Sequence, residues 1–210
     1  MNKATVRFAL LALLLPILLQ ANHILRNDLL KLQVTDLIEG MGDELEDKTG
    51  VHAYVIATNE HFPERFNLVK YSKQYEANVS KPYVVLIFAP FATVTKKSGK
   101  RGRMGIIPSS PEIKKLYDYD SVRDAGVDVI AMKDSNKMED KINIGVLQSY
   151  SELADNIAQT KGIKLTKTIP NEVQPVVRVL KAVVYIGTII IFWMFIFRPL
   201  LGRKRNGKEQ

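Results

Sequence analysis

Three aspartates stand close together in the stretch YDYDSVRD, at Asp118, Asp120 and Asp124. Calcium takes about six to eight oxygen ligands, and aspartate carboxylates are among the ligands that it prefers. The spacing therefore indicates a calcium site in this part of the chain. An acidic turn that is exposed to water and binds no ion would give the same pattern.

Other catalytic or metal-binding patterns are missing from the sequence. The chain has no cysteine, which excludes disulfides, thiolate catalysis and thiolate metal ligands. Its histidines, His23, His52 and His61, are not spaced as metal ligands are in known motifs. Serine nucleophile elbows and phosphate-binding glycine loops are absent as well. The sequence therefore favours binding over catalysis.

A basic stretch lies near the middle of the chain, in TKKSGKRGRMG. Such a cluster of positive charge can contact anionic lipid headgroups or an acidic protein partner. A hairpin that is merely exposed to water is the alternative interpretation. The basic residues are Lys96, Lys97, Lys100, Arg101 and Arg103.

One acceptor sequence for N-glycosylation is present, at Asn78-Val79-Ser80. Glu76 stands two residues before the asparagine, as in the extended acceptor of some bacterial systems. The neighbouring Lys81-Pro82 predicts a turn at the surface, where a sugar disturbs no core. Asn78 is therefore a candidate glycosylation site, although short acceptors also arise by chance.

An apolar segment followed by a basic tail predicts the topology. Residues 182–197 carry no charge, and the extended segment Val179–Leu201 would form a helix of about 34 Å, enough to cross a bilayer. A buried core helix is the alternative. Residues 202–210 are rich in Arg and Lys, and basic residues next to a span stay in the cytoplasm. We therefore expect a cytoplasmic C-terminus and a domain outside.

The first residues support the same topology. Residues 1–21 have a basic start, a short apolar run and a small residue at Ala21, as signal peptides do. An uncleaved N-terminal anchor is the alternative, and both place residues 22–175 across the membrane. The lack of cysteine suits a periplasm. We expect a single-pass protein of a bacterial inner membrane.

The charge distribution argues against a nucleic-acid partner. The formal net charge is +8, but residues 22–175 hold 21 Lys and Arg against 21 Asp and Glu. All of the excess therefore lies in the flanking segments, where it indicates topology and contact with anionic lipid.

The exported part is predicted to be one α/β domain over residues 22–163, with a linker at 164–178. Hydrophobic periodicity predicts the element order α-β-α-β-β-(β)-α, a single sheet with helices packed on it. Asn27 or Asp28 is expected to cap the first helix and Pro63 to begin the second. The last helix is expected at Met138–Lys161. Strands are predicted at Val51–Ala57, Tyr83–Ala89, a segment ending near Ile107, and Val127–Met132.

Several motifs occur in an order that resembles the TPM domain family. LEDKTGVHAYVIAT resembles the family's LE-x-x-TG segment, NDLL its start, VVLIFAP its central strand and LYD an acidic step. The resemblance covers residues 25–162 and implies a TPM-like sandwich. Family members hold divalent cations in an acidic cleft, which adds Asp28 and Glu112 to the candidate calcium ligands. In place of the family's acidic residue after the central strand, this chain has FATV.

The resemblance also bears on function. Some members are membrane-tethered auxiliaries of larger membrane complexes, and one branch resembles an acid phosphatase. We therefore predict a membrane-anchored periplasmic auxiliary, assembly or maintenance factor that acts on a larger membrane protein complex without catalysis of its own. A metal-dependent acid phosphatase and a calcium-binding module are the alternatives.

Overall fold

A computed structural model describes residues 22–169 and 173–197. The chain divides into two compact units, residues 1–170 and 171–210, and each is considered by itself. The predicted signal segment at 1–21 and the basic tail at 202–210 lie outside the described residues.

The first unit is built on a mixed sheet of four strands in the order β1-β2-β3-β4. β1 pairs with β2 and β2 with β3 in parallel, and β3 pairs with β4 in an antiparallel hairpin. The strands are β1 Ile24–Asn27, β2 His52–Ala57, β3 Tyr83–Thr95 and β4 Lys100–Pro108.

Helices connect and cover the strands. α1 links β1 to β2, and α2, which continues into a 3₁₀ segment at Lys73–Asn78, precedes β3. The remaining helices of this unit follow β4. The helices are α1 Leu32–Thr49, α2 Leu68–Ser72, α3 Pro111–Lys114, α4 Tyr119–Ala131 and α5 Met138–Thr160.

Side chains alternate between the two faces of the sheet along each strand. Both faces are buried, because other parts of the unit cover each of them. Val55, Leu86 and Phe88 pack into a core with helices α1, α4 and α5. Ile56 and Ile87 point the other way, into a second core that the segment 62–79 covers. The α/β architecture, the single sheet and the double burial of the central strand are therefore confirmed.

The longest helix of this unit matches the sequence pattern closely. α5 buries an apolar stripe along one side, as the 3.6-residue periodicity predicted. Gly50 and Gly162 follow α1 and α5 with positive φ angles, which suits glycine at the end of a helix. The stripe consists of Ile142, Val146, Tyr150, Leu153 and Ile157.

The strand predicted at Val127–Met132 is wrong, because residues up to Ala131 continue helix α4. The run VDVIAM is rich in β-branched residues, which favours a strand locally. Tertiary packing overrides this preference, because Val122, Ala125 and Gly126 recur at helical spacing and are buried. A side chain at Gly126 would collide with the Gly145 backbone of α5, so glycine permits a close crossing of these two helices.

Two predicted helix starts are also wrong. Asn27 ends strand β1, which the sequence did not reveal, and α1 begins at Leu32. The Asn27 side chain accepts hydrogen bonds from the backbone N–H groups of Leu29 and Leu30, which stabilises the turn into the helix. The second helix begins at Leu68 with Asn67 as its cap, and Pro63 lies in the preceding loop.

The segment after α5 is bonded to the first unit. Both carboxylate oxygens of Glu44 accept hydrogen bonds from the backbone N–H of Thr166, and Oε2 accepts another from Lys167. Ser151 Oγ accepts a bond from the backbone N–H of Ile169. Residues 164–169, predicted as the start of a linker, therefore lie against the domain.

The second unit is described from Val173 to Phe197. It consists of helix α6, Val173–Phe192, which continues into a π-helical turn at Trp193–Phe197. Over the residues that the structure describes, no helix meets the length and apolarity needed to cross a membrane. The described residues therefore give no support to the predicted span, whose residues 198–201 lie outside them.

Candidate functional site

The three clustered aspartates all have local structural partners. Asp118 caps helix α4, because its Oδ1 accepts a hydrogen bond from the backbone N–H of Asp120. Arg123 pairs with both remaining carboxylates, at 2.8 Å from Asp120 Oδ1 and 2.8 Å from Asp124 Oδ1. Asp118 therefore stabilises the start of α4, and Arg123 balances the charges of Asp120 and Asp124.

The two carboxylates that the resemblance added lie on other elements. Asp28 follows β1, where its Oδ2 accepts hydrogen bonds from Arg26, Thr58 and Asn59. Glu112 lies in α3, and a hydrogen bond with Ser110 lowers its pKa. Within residues 22–169 and 173–197, no three His, Cys, Asp or Glu side chains are arranged to hold a metal ion. The described residues thus provide no assembled ligand set for calcium.

Replacing Asp118 with alanine should lower the free energy of unfolding by about 1 kcal/mol, because helix α4 loses its cap. Asp118→Asn should be nearly neutral, since asparagine caps helices as well as aspartate does. Thermal unfolding of both variants, with and without millimolar calcium, tests this role. A rise in melting temperature with calcium in the unchanged chain, lost in Asp118→Asn, would instead establish the ion site.

A polar network lies at the carboxyl ends of β1 and β2, around Arg26. The guanidinium contacts Asp28 at 2.9 Å, Glu60, and the hydroxyl of Tyr71 at 2.6 Å. Burial alone lowers the pKa of Arg26, but hydrogen bonds with Glu60 and two tyrosines outweigh it and raise the pKa above its ordinary value. Burial also raises the pKa of Tyr71, to about 12. The charges of this network are paired internally.

A second polar cluster surrounds His23, which is fully buried. Its Nδ1 lies 3.1 Å from the carbonyl oxygen of Ala53, and because a carbonyl only accepts, that nitrogen carries a proton. Its Nε2 lies 3.4 Å from Asp43 Oδ1 and 3.9 Å from Glu46 Oε2. His52 Nδ1 lies 3.0 Å from the same oxygen of Glu46. Two histidines thus meet the carboxylates of α1.

Burial raises the pKa values of two other groups in the cluster around His23. Burial raises the pKa of Glu39, whose Oε2 accepts a hydrogen bond from the backbone N–H of His23. Burial also raises the pKa of Tyr150, whose hydroxyl donates to Ala53 O at 3.0 Å. The cluster could not be predicted from the sequence, because its members lie on the residue before β1 and on α1, β2 and α5. The parallel pairing of β1 with β2 beside α1 brings His23 and His52 to carboxylates of the same helix.

The basic stretch forms the tip and outer part of the β3–β4 hairpin. Lys96, Lys97, Lys100 and Arg101 are exposed, whereas Arg103 is half-buried and donates from Nη1 to the carbonyl of Phe66 at 2.6 Å. The backbone N–H of Lys96 donates to Glu64 at 3.1 Å, which holds the tip against the preceding loop. The hairpin therefore presents four of the five basic side chains to solvent, and their contact with lipid or an acidic partner stays a prediction.

An apolar groove opens between the hairpin and the helices, with a volume of about 550 Å³. Its sheet side consists of Phe88, Pro90 and Met104, and its helix side of Val127, Ile130 and Met138. Arg101 and Arg103 line the same groove. It could not be seen in the sequence, because its walls come from segments that are separated along the chain.

Asn78 ends the 3₁₀ segment and its side chain is exposed. The backbone N–H of Ser80 donates to the hydroxyl of Tyr54 at 3.0 Å, so the loop after Asn78 is held on the second core. An accessible asparagine in a fixed surface loop is compatible with modification, and glycosylation stays a prediction.

Comparison with known proteins adds no relative. No protein-family model matches the chain, and no curated protein sequence matches it significantly. The resemblance to the TPM family therefore stays a prediction from the sequence.

Proposed function

We propose that the chain is a single-pass, membrane-anchored auxiliary factor whose α/β unit lies in a bacterial periplasm and acts on a larger membrane protein complex. In this proposal the segment Val179–Leu201 spans the inner membrane and residues 202–210 remain in the cytoplasm. The protein acts by binding, as an assembly or maintenance factor, and carries out no chemical step.

The observation that carries this proposal is the surface of the second unit. Between Val183 and Phe195, the large side chains of α6 and the following turn are apolar, and all of them are exposed. A helix that is apolar on every side belongs inside a protein or a membrane, and contiguous apolar surface of this kind marks an interaction with lipid or protein. The exposed residues are Val183, Val184, Tyr185, Ile186, Ile189, Ile190, Ile191, Phe192, Trp193, Met194 and Phe195.

Flanking charges support the orientation. Lys181 precedes the exposed apolar residues, while Arg203, Lys204 and Arg205 follow the proposed span. The cluster after the span is the denser one, and such clusters stay in the cytoplasm. The α/β unit then lies on the opposite side, where the balanced charge of residues 22–175 suits a water-exposed domain.

The hairpin tip supports a contact with an acidic partner. Lys96, Lys97 and Lys100 are exposed together, and no acidic residue occurs between Lys96 and Arg103. Glu64 accepts a hydrogen bond from the backbone N–H of Lys96, but the four exposed basic side chains outnumber it. Such an excess of positive charge is suited to long-range attraction and to the choice of partner. The proposed partner surface is therefore acidic.

Affinity purification of the full chain from a mild detergent tests the proposal. We expect a membrane protein complex to co-purify with the unchanged chain. Replacing Lys96, Lys97 and Lys100 with glutamate should reduce its recovery about tenfold or more, because like charges then face each other. The matched control replaces Lys70, Lys73 and Lys81, which are also exposed, with glutamate and should retain the complex.

Two results would contradict this function. One is the absence of any stoichiometric membrane protein partner in the purified sample. The other is metal-dependent release of phosphate from a simple phosphate ester by the purified chain, which would favour the phosphatase alternative.

A further inference from the structure

We infer that the apolar groove beside the hairpin binds a single acyl chain that carries an anionic head group. The groove belongs to the first unit alone, so the inference does not depend on how the second unit is anchored. Its volume of about 550 Å³ lies within the roughly 300–1,000 Å³ of clefts that hold one small ligand.

The lining of the groove matches the two parts of such a ligand. Phe88, Met104 and Ile130 offer apolar contact, and methionine side chains adapt to flexible ligands. The charged residues in the lining are Arg101 and Arg103. Arg103 already donates to the carbonyl of Phe66, so the exposed Arg101 is the residue that meets an anionic head group. An arginine pairs well with a carboxylate or phosphate because its planar N–H groups match two oxygens.

The hydrogen-bonding capacity of the lining distinguishes an acyl chain from a peptide. An extended peptide brings an N–H group at nearly every residue, and each needs an acceptor when it is buried. The lining side chains offer no oxygen acceptor, so only backbone groups of the lining could pair with the N–H groups of a peptide. An acyl chain brings no donor, so its burial leaves no polar group unpaired.

The helix side of the groove is accessible to a ligand. Val127 and Met138 line the groove and are exposed on α4 and α5, although both are apolar. Exposed apolar side chains that converge on one cleft gain free energy when an apolar ligand covers them. The basic residues of the hairpin would attract an anionic amphiphile from the nearby medium.

Photocrosslinking of the full chain in phosphatidylcholine vesicles tests the inference. The probe is a long-chain fatty acid with a diazirine in its chain, and its alcohol of equal length serves as the uncharged comparison. After irradiation, mass spectrometry of peptides locates the adducts. We expect them in peptides from 88–104 and 127–142, with about tenfold fewer from the alcohol, because a charge-assisted bond is lost.

Two pairs of variants sharpen the test. Val127→Trp should fill the groove and remove most adducts, whereas Val69→Trp, at an exposed site on α2, should leave them unchanged. Arg101→Gln should reduce adducts from the acid and not from the alcohol, whereas Lys114→Gln on α3 should change neither.

Three results would overturn the inference: adducts spread over the whole surface, an unchanged yield in Val127→Trp, or equal labelling by acid and alcohol. Loss of a co-purified protein in Val127→Trp with unchanged adducts would assign the groove to a protein segment instead. If the membrane anchor fails, the chain will not float with the vesicles, and this result is distinct from a loss of adducts in the groove.

Discussion

Replacing Gly126 with alanine is expected to lower the free energy of unfolding of the α/β unit by about 3 kcal/mol. A methyl group at this position would collide with Ser149 Oγ and lie 2.7 Å from the carbonyl oxygen of Gly145. The second contact is with backbone, so α4 and α5 must move apart along their crossing. The melting temperature should fall by roughly 6–12 °C.

Gly40→Ala is the matched control for this change. Gly40 lies within α1, and a methyl group there would meet Lys167 Cδ at 3.6 Å, an ordinary contact. Alanine in place of glycine inside a helix usually stabilises by about 0.5–1 kcal/mol. The two substitutions should therefore have opposite signs in thermal unfolding of the full chain in a mild detergent. A stabilising Gly126→Ala would contradict the close crossing of α4 and α5.

Replacing Glu44 with glutamine is expected to cost about 2 kcal/mol at neutral pH, since charged acceptors form the stronger hydrogen bonds. Glu44 is only 7% exposed and holds Thr166 and Lys167 against α1. Burial by itself raises the pKa of Glu44. Hydrogen bonds from Lys48, Lys167 and Thr166 oppose this and lower the pKa to about 2.

The pH dependence of this effect follows from the lowered pKa. The carboxyl of an unfolded chain has a pKa of about 4.3, so the folded state binds the proton more weakly. The stability from Glu44 is therefore fully present above about pH 5 and is lost as the pH falls toward 2. The difference in melting temperature between the unchanged chain and Glu44→Gln should shrink over this range.

Asp47→Asn provides the control for the Glu44 variant. Asp47 lies on the same helix and is exposed, so its replacement should change stability by less than about 0.5 kcal/mol. If Glu44→Gln shows a constant difference from the unchanged chain between pH 2 and pH 7, the bonds to residues 166 and 167 do not exist in solution.

The elements that the sequence predicted well are those with a strong and local pattern. Strand β3 begins with a continuous apolar run, and α5 repeats its apolar residues at helical spacing from Ile142 to Ile157. Such patterns arise because one element meets the same core along its whole length. Gly50 has the left-handed conformation that ends a helix most easily as glycine, so its place after α1 follows from a local rule.

The elements that the sequence did not predict depend on distant contacts. β1 has four residues, and its parallel pairing with β2 is what makes it a strand. Val127 and Val129 favour a strand locally. They nevertheless lie on a helix, because the close packing of Gly126 on Gly145 stabilises the whole of α4 against α5. Local preference is weak compared with the packing of a whole helix.

The candidate site shows the same limit. Asp118, Asp120 and Asp124 are adjacent in sequence, yet a helix cap and Arg123 account for their contacts. The groove and the cluster of His23 with His52 are each assembled from several elements. Which distant residues lie close together depends on the topology of the fold. The spacing of residue types along one segment does not reveal that topology.

We propose that the α/β unit lies outside the cytoplasm and the basic tail inside. The most direct test fuses a reporter that is active only in the cytoplasm either after Gln210 or after Ile169, the last described residue of the first unit. We expect an active fusion after Gln210 and a silent one after Ile169. An active fusion after Ile169, or a silent but stably expressed fusion after Gln210, would contradict it.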